Sequence, residues 1–206
     1  MSTYVAVFLG FNFFLLHGIE NTNGGWLPTY AVLSGFATKK QAALFATAFW
    51  LTYTIARYVS GFVNVKVSTK LKRFAEFGVI SAIISAIFSY FNLHLIATSF
   101  CAVTQGISVS GIYPLSLALA SEFDLHLTDE QIWTIMITMM VSEAIMVAPT
   151  GYLMQHIYLR VFFIALFIFN LVLVINSRYV ISLMEREIKN DESGINKQIG
   201  PFENDN

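Results

Sequence analysis

The sequence predicts an all-α, polytopic membrane protein: a bundle of six transmembrane helices. Three observations predict it. Hydrophobic residues make up 56% of the 206 residues and charged residues only 12%, about half the charged share of a soluble domain. Mean hydropathy is +0.63. The apolar residues gather in runs near the length of about 20 residues that a helix needs to cross a bilayer core. A soluble globule of this size would lack the polar side chains to cover its surface. Composition therefore excludes a soluble enzyme, a disordered chain, a disulfide scaffold and a nucleic-acid binder. The net charge of −1 gives no field that would attract a polyionic partner. The lipid bilayer is the partner that composition names.

The spans cover residues 2–33, 41–65, 74–91, 93–120, 130–154 and 157–179. They are helices because the runs are too long for barrel strands and do not alternate. The first is a mature span, since it lacks a basic leader and a small-residue cleavage site. Residues 1–180 form the bundle. Residues 181–206 form a polar cytoplasmic tail whose start, MEREIK, can extend the last helix and whose end reads as disordered. With six spans both termini share one side. Lys66, Lys70, Lys72, Arg73, Arg178, Arg186 and Lys189 lie on that side, against Lys39, Lys40 and Arg160 on the other. The positive-inside rule puts both termini in the cytoplasm, with the plasma membrane as the default location.

The first span carries HGIENTNGGWLPTYA over residues 17–31. Asn21, Thr22, Asn23, Gly24 and Gly25 are poor helix formers in succession, and Pro28 removes a backbone donor. Two readings are open. A broken helix at membrane depth would expose amides and carbonyls to a polar solute. Otherwise the span ends near Ile19 and an outer loop follows. Trp26 and Tyr30 are stacking surfaces for a sugar in the first reading and interface anchors in the second. Glu20 sits at the break and is costly in lipid.

In the second span, Arg57 lies about 12 Å from the inner end along a helix; it serves a pathway or snorkels. In the third, Ser81, Ser85 and Ser89 mark close packing. In the fourth, Gly106, Ser110 and Pro114 repeat every four residues, so a neighbour packs closely and the helix bends. Gln105 is that span's candidate to meet a solute. The fifth span holds Glu143 in mid-membrane, ahead of Pro149 and Gly151. Cys101 reads as a small buried residue. His17, His94, His126 and His156 are scattered without metal-ligand spacing, so no metal or organic cofactor is expected.

In this order these pieces resemble the C-terminal six helices of a major facilitator superfamily transporter, in the sodium-dependent glucose transporter-like branch related to fucose permeases. The seventh helix of that group carries a Glu and then Gly-Gly-Trp and Thr-Tyr-Ala, matched by Glu20, Gly24, Gly25, Trp26, Thr29, Tyr30 and Ala31. Its eighth has an aromatic-Trp pair and an Arg, matched by Phe49, Trp50 and Arg57. Gly106, Gly111 and Pro114 match its tenth helix, and Glu143, Pro149 and Gly151 its eleventh. The resemblance covers residues 4–180. Two departures stand out: Ala56 replaces the usual Gly before the Arg, and the chain supplies one half of a two-half fold.

The resemblance implies alternating-access transport of a small polar solute such as a hexose, coupled to a cation (Na+ or H+). Substrate contacts would come from Glu20, Asn21, Trp26, Tyr30, Gln105 and Glu143. Ion coupling or a counter-ion would come from Glu20, Arg57 and Glu143. A second six-helix half, or a second copy of the chain, would complete the fold. The alternatives are a non-transporting receptor, an inactive truncated product and, more remotely, an intramembrane enzyme built on Ser108 and His156.

Overall fold

A computed structural model describes the backbone of residues 3–122 and 128–199, with side chains over 6–122 and 128–186. The acidic segment around Asp124, including His126, and the tail's end from Gly200 lie outside the described residues. Everything described is helix or short connection, with no strand. The elements are α1 (Thr3–Leu33), α2 (Lys39–Phe62), α3 (Val67–Tyr90), α4 (His94–Ser110), α5 (Ile112–Glu122), α6 (Asp129–Ser142), a π-helical turn (Glu143–Val147), α7 (Ala148–His156) and α8 (Val161–Ile199). Residues 94–122 form one rod kinked at Gly111, and 129–156 form one rod slipped at the π turn. Counted this way, the described residues form six rods. Three of them are long and apolar enough to cross a membrane: His94–Glu122, Asp129–His156 and Val161–Arg186.

The structure corrects the expectation of a break or a loop near residues 20–25. α1 runs unbroken through Asn21–Gly25 and Pro28. Packing explains the override of local propensity. Thr22 and Asn23 are buried. Asn23 donates its amide back to the Ile19 carbonyl at 2.9 Å, and its oxygen receives the Cys101 thiol at 3.6 Å. Gly24 serves close approach, with the Trp50 indole resting against it. The last helix also differs from expectation. α8 continues to Ile199, past the MEREIK stretch that the sequence allows to extend it.

Pro28 leaves α1 unbroken, whereas Pro114 and Pro149 each lie close to an irregularity in their rods. The kink in the fourth span falls at Gly111, three residues before Pro114. Pro114 cannot donate to the Ser110 carbonyl. Arg57 Nε donates to it instead, at 2.9 Å. Around Pro149 the helix does not end. It widens by one residue, and the Ala148 amide reaches the Glu143 carbonyl.

α4 is wedged between α2 and α3, and α3 also packs on α8. Gly106 faces α2 so closely that a Cβ there would lie 2.6 Å from the Phe49 carbonyl oxygen. On the opposite side Gln105 donates to the Gly78 carbonyl at 2.9 Å and Ser108 to the Phe74 carbonyl at 2.8 Å. Ser81, Ser85 and Ser89 are all buried, and Ser81 pairs with Thr104 at 2.5 Å. A second buried network ties α1 to α8 and α5. The Asn12 oxygen accepts from Ser177 at 2.9 Å and Asn176 at 3.2 Å, while its amide donates to Ser116 at 3.2 Å. α1 packs against α2 on one side and α6 on the other, and among the described residues α2 and α6 do not touch.

Two glycine substitutions separate close packing from mere helical content. Gly106→Ala is expected to destabilise the purified protein by about 1–3 kcal/mol through overpacking. Gly25→Ala, where nothing lies within 4 Å of the added carbon, should leave the thermal midpoint unchanged or slightly raised, since Ala is the better helix former. Thermal unfolding in detergent distinguishes them.

Candidate functional site

His17, Glu20, Asn21 and Gly24 recur at i, i+3, i+4 and i+7, which puts them on one face of α1. This face lies between α2 and the α6–π–α7 rod. His17, Glu20 and Asn21 are half-buried, whereas Arg57 and Glu143 are exposed.

On the rod side, the π turn sets Glu143 against α1. Its carboxylate accepts from the Asn21 amide at 3.1 Å and lies 3.3 Å from His17 Nε2. The Asn21 amide also donates to His17 Nε2 at 2.9 Å, which accepts through its unprotonated nitrogen. The cluster rims a cleft of about 680 Å³ between α1, α5 and α6, walled by Phe13, Tyr113, Leu117 and Met136 among others. Close packing holds the rod in place. A Cβ on Gly18 would meet the Met146 side chain, and one on Gly151 would overlap the Trp26 indole. The Trp26 indole N–H donates to the Val147 carbonyl at 2.8 Å, pinning α1 to the end of the π turn.

On the α2 side, Tyr53, His17 and Arg57 lie near enough to the Glu20 carboxylate to act on its charge. One arm of Arg57 donates to the Tyr53 hydroxyl, and its guanidinium carbon lies 4.4 Å from the Tyr53 ring centroid. Arg57 and Tyr53 thus form a relay on α2 that points toward Glu20. Trp50, two-fifths exposed, lies edge-on to Tyr53 with centroids 5.4 Å apart and presents an indole beside Gly24.

The sequence-predicted residues therefore divide. Glu20, Asn21, Arg57 and Glu143 gather along the α1 face, whereas Trp26, two residues past Gly24, turns to the other side of α1 and packs on Gly151. Tyr30 and Gln105 do not join the face either. Tyr30 is fully buried, bonded at 2.7 Å to both Ser89 and His94 and packed on Phe162 and Phe163. It offers neither a sugar platform nor an interface anchor. Gln105 is also fully buried, with its oxygen receiving Asn170 at 3.3 Å while its amide holds Gly78. Neither side chain is free to meet a solute. Ser108 is buried and spends its hydroxyl on Phe74, and His156 stacks at the exposed end of α7 on Tyr152. His17, Trp50 and Tyr53 are members of the site that composition passed over. The 17-20-21-24 spacing was the available signal for His17. Tyr53 lies one turn before Arg57 on the same face.

Among the described residues no group of three or more His, Cys, Asp or Glu could hold a metal ion. No protein-family model, no curated protein and no solved structure matches the chain.

The Trp26–Gly151 contact can be tested on its own. In a Trp50→Phe, Trp133→Phe background, which leaves Trp26 as the single tryptophan, Gly151→Ala is expected to push the indole off the Val147 carbonyl. A shifted Trp26 emission maximum reports this; an unmoved spectrum contradicts the packing described.

Proposed function

We propose that this chain is one six-helix half of an alternating-access transporter of the major facilitator type, carrying a small polar solute such as a sugar. The single observation that carries the reading is the α1 face. Two carboxylates, an imidazole, an amide and a guanidinium converge on one side of a chain whose helices are otherwise apolar. Ionisable groups in that setting are costly unless they serve a polar path. The face lies in the gap between α2 and the α6–π–α7 rod, where a second bundle would seat. That bundle is a separate six-helix half or a second copy of the chain.

In this reading all six rods cross the membrane and both termini are cytoplasmic, in keeping with the distribution of Lys and Arg. Sugar hydroxyls both donate and accept, so Asn21, Glu143 and His17 suit them, and the indole of Trp50 offers an apolar face to the ring. Glu20 is the coupling group for Na+ or H+. Its charge is balanced through Tyr53 by Arg57, which stays in place because it also satisfies Ser110. Loading Glu20 with a cation would change the charge that the relay sees, which favours one packing of the two halves over the other.

Uptake into liposomes holding the full assembly tests the reading. Glu20→Gln is expected to abolish the cation dependence and lower uptake about tenfold, a typical coupling free energy between two ligands. Unchanged uptake with unchanged cation dependence would remove Glu20 from the mechanism. A strictly monomeric chain that still carried solute would overturn the two-bundle arrangement.

A further inference from the structure

Away from the α1 face, two adjoining clefts of about 240 and 340 Å³ run along the outside of the bundle where α2 and α3 flank α4. They share Arg73, Phe74 and Ile107, so they form one groove. Lys70, Arg73, Phe74 and Phe77 follow the i, i+3, i+4, i+7 spacing of a single helical face. Their order along α3 matters. The cations lie nearest the 63–66 connection and the aromatics lie further along the helix. Val59 and Val63 form the opposite, exposed wall.

The charges of the groove are unbalanced. Lys70 gives one bond, to the Ser60 carbonyl at 3.1 Å, and keeps two of its three donors. Among the described residues nothing neutralises Arg73. The nearby acid on α3, Glu76, is engaged at 2.5 Å by Arg178 of α8. A basic mouth over an apolar floor is complementary to an amphiphile with an anionic head. A free anion would leave the apolar floor unused, and a choline head would set its ammonium against two cations.

We propose that this groove binds an anionic phospholipid, with Lys70 and Arg73 on the phosphate and an acyl chain along Phe74, Phe77 and Ile107. Basic pockets between membrane helices favour such head groups. The inference rests on placing the bundle in a membrane and not on its transporting anything.

The test uses the full chain, delipidated in detergent and offered an equimolar mixture of phosphatidylglycerol and phosphatidylcholine, with retained lipid counted by native mass spectrometry. Wild type should retain phosphatidylglycerol preferentially. Lys70→Gln with Arg73→Gln should lower that preference about tenfold, Arg73→Lys should keep it, and Lys39→Gln with Lys40→Gln should not affect it. Equal preference in wild type and the Lys70/Arg73 variant overturns the site. Displacement of the lipid by glycerol 3-phosphate alone also overturns it, by reducing the groove to a phosphate site. Carbonate extraction of membranes is run in parallel. A chain released by carbonate fails the membrane placement itself, whereas a retained chain with an unaltered lipid ratio fails only the groove.

Discussion

A backbone carbonyl that loses its helical donor inside an apolar bundle must find another donor, because no water is at hand to replace it. Much of this structure follows from that requirement. Pro114 deprives Ser110 of its donor, and Arg57 reaches across from α2 to supply one. That contact fixes where the guanidinium stands, and Tyr53, Glu20 and the α1 face are arranged around it. At Pro149 the chain meets the same requirement differently, by slipping one residue into a π turn that aims Glu143 at α1. The polar face thus depends on how two prolines in distant helices are accommodated.

Inside the bundle, polar side chains are used as connectors. Asn12, Gln105 and Asn170 each join two or more helices through hydrogen bonds that are wholly buried. Asn170 leaves its oxygen without a partner, set against Gly78, where a Cβ would strike it. A Cα–H contact of the kind seen at close helix crossings suits that position. These networks fix helix order and depth more tightly than apolar packing alone, since a half-satisfied network costs more than none.

Composition and run length made the helical class legible. Glu20, Asn21 and Glu143 stood out in the sequence because charge and breakers are scarce in such a chain. Three features were not legible. The continuity of α1 depends on Asn23 meeting Cys101, which are 78 residues apart, so local propensity pointed the wrong way. The burial of Tyr30 depends on Ser89, His94, Phe162 and Phe163 closing around it, and a lone Tyr near a Trp carries no sign of that. Gln105 looked solute-facing because it is polar; its partners Gly78 and Asn170 come from two other helices. In each case contacts far away in sequence decided the outcome.

The rod of α6, the π turn and α7 touches only α1 and α8 among the described helices, and only 11% of its apolar core segment is buried. The free energy of local opening scales with the contacts that must be given up, so cooperative units with few neighbours open first. This rod is therefore the bundle's least protected unit, with the slowest amide exchange expected in α4, which is held from both sides. Its parting from α1 would release Trp26 and Glu143 together and uncover His17 and Asn21, while the Arg57–Tyr53 contact on α2 stayed intact. The two flanks of the α1 face thus differ in how easily they come apart, with one fixed wall and one that can swing.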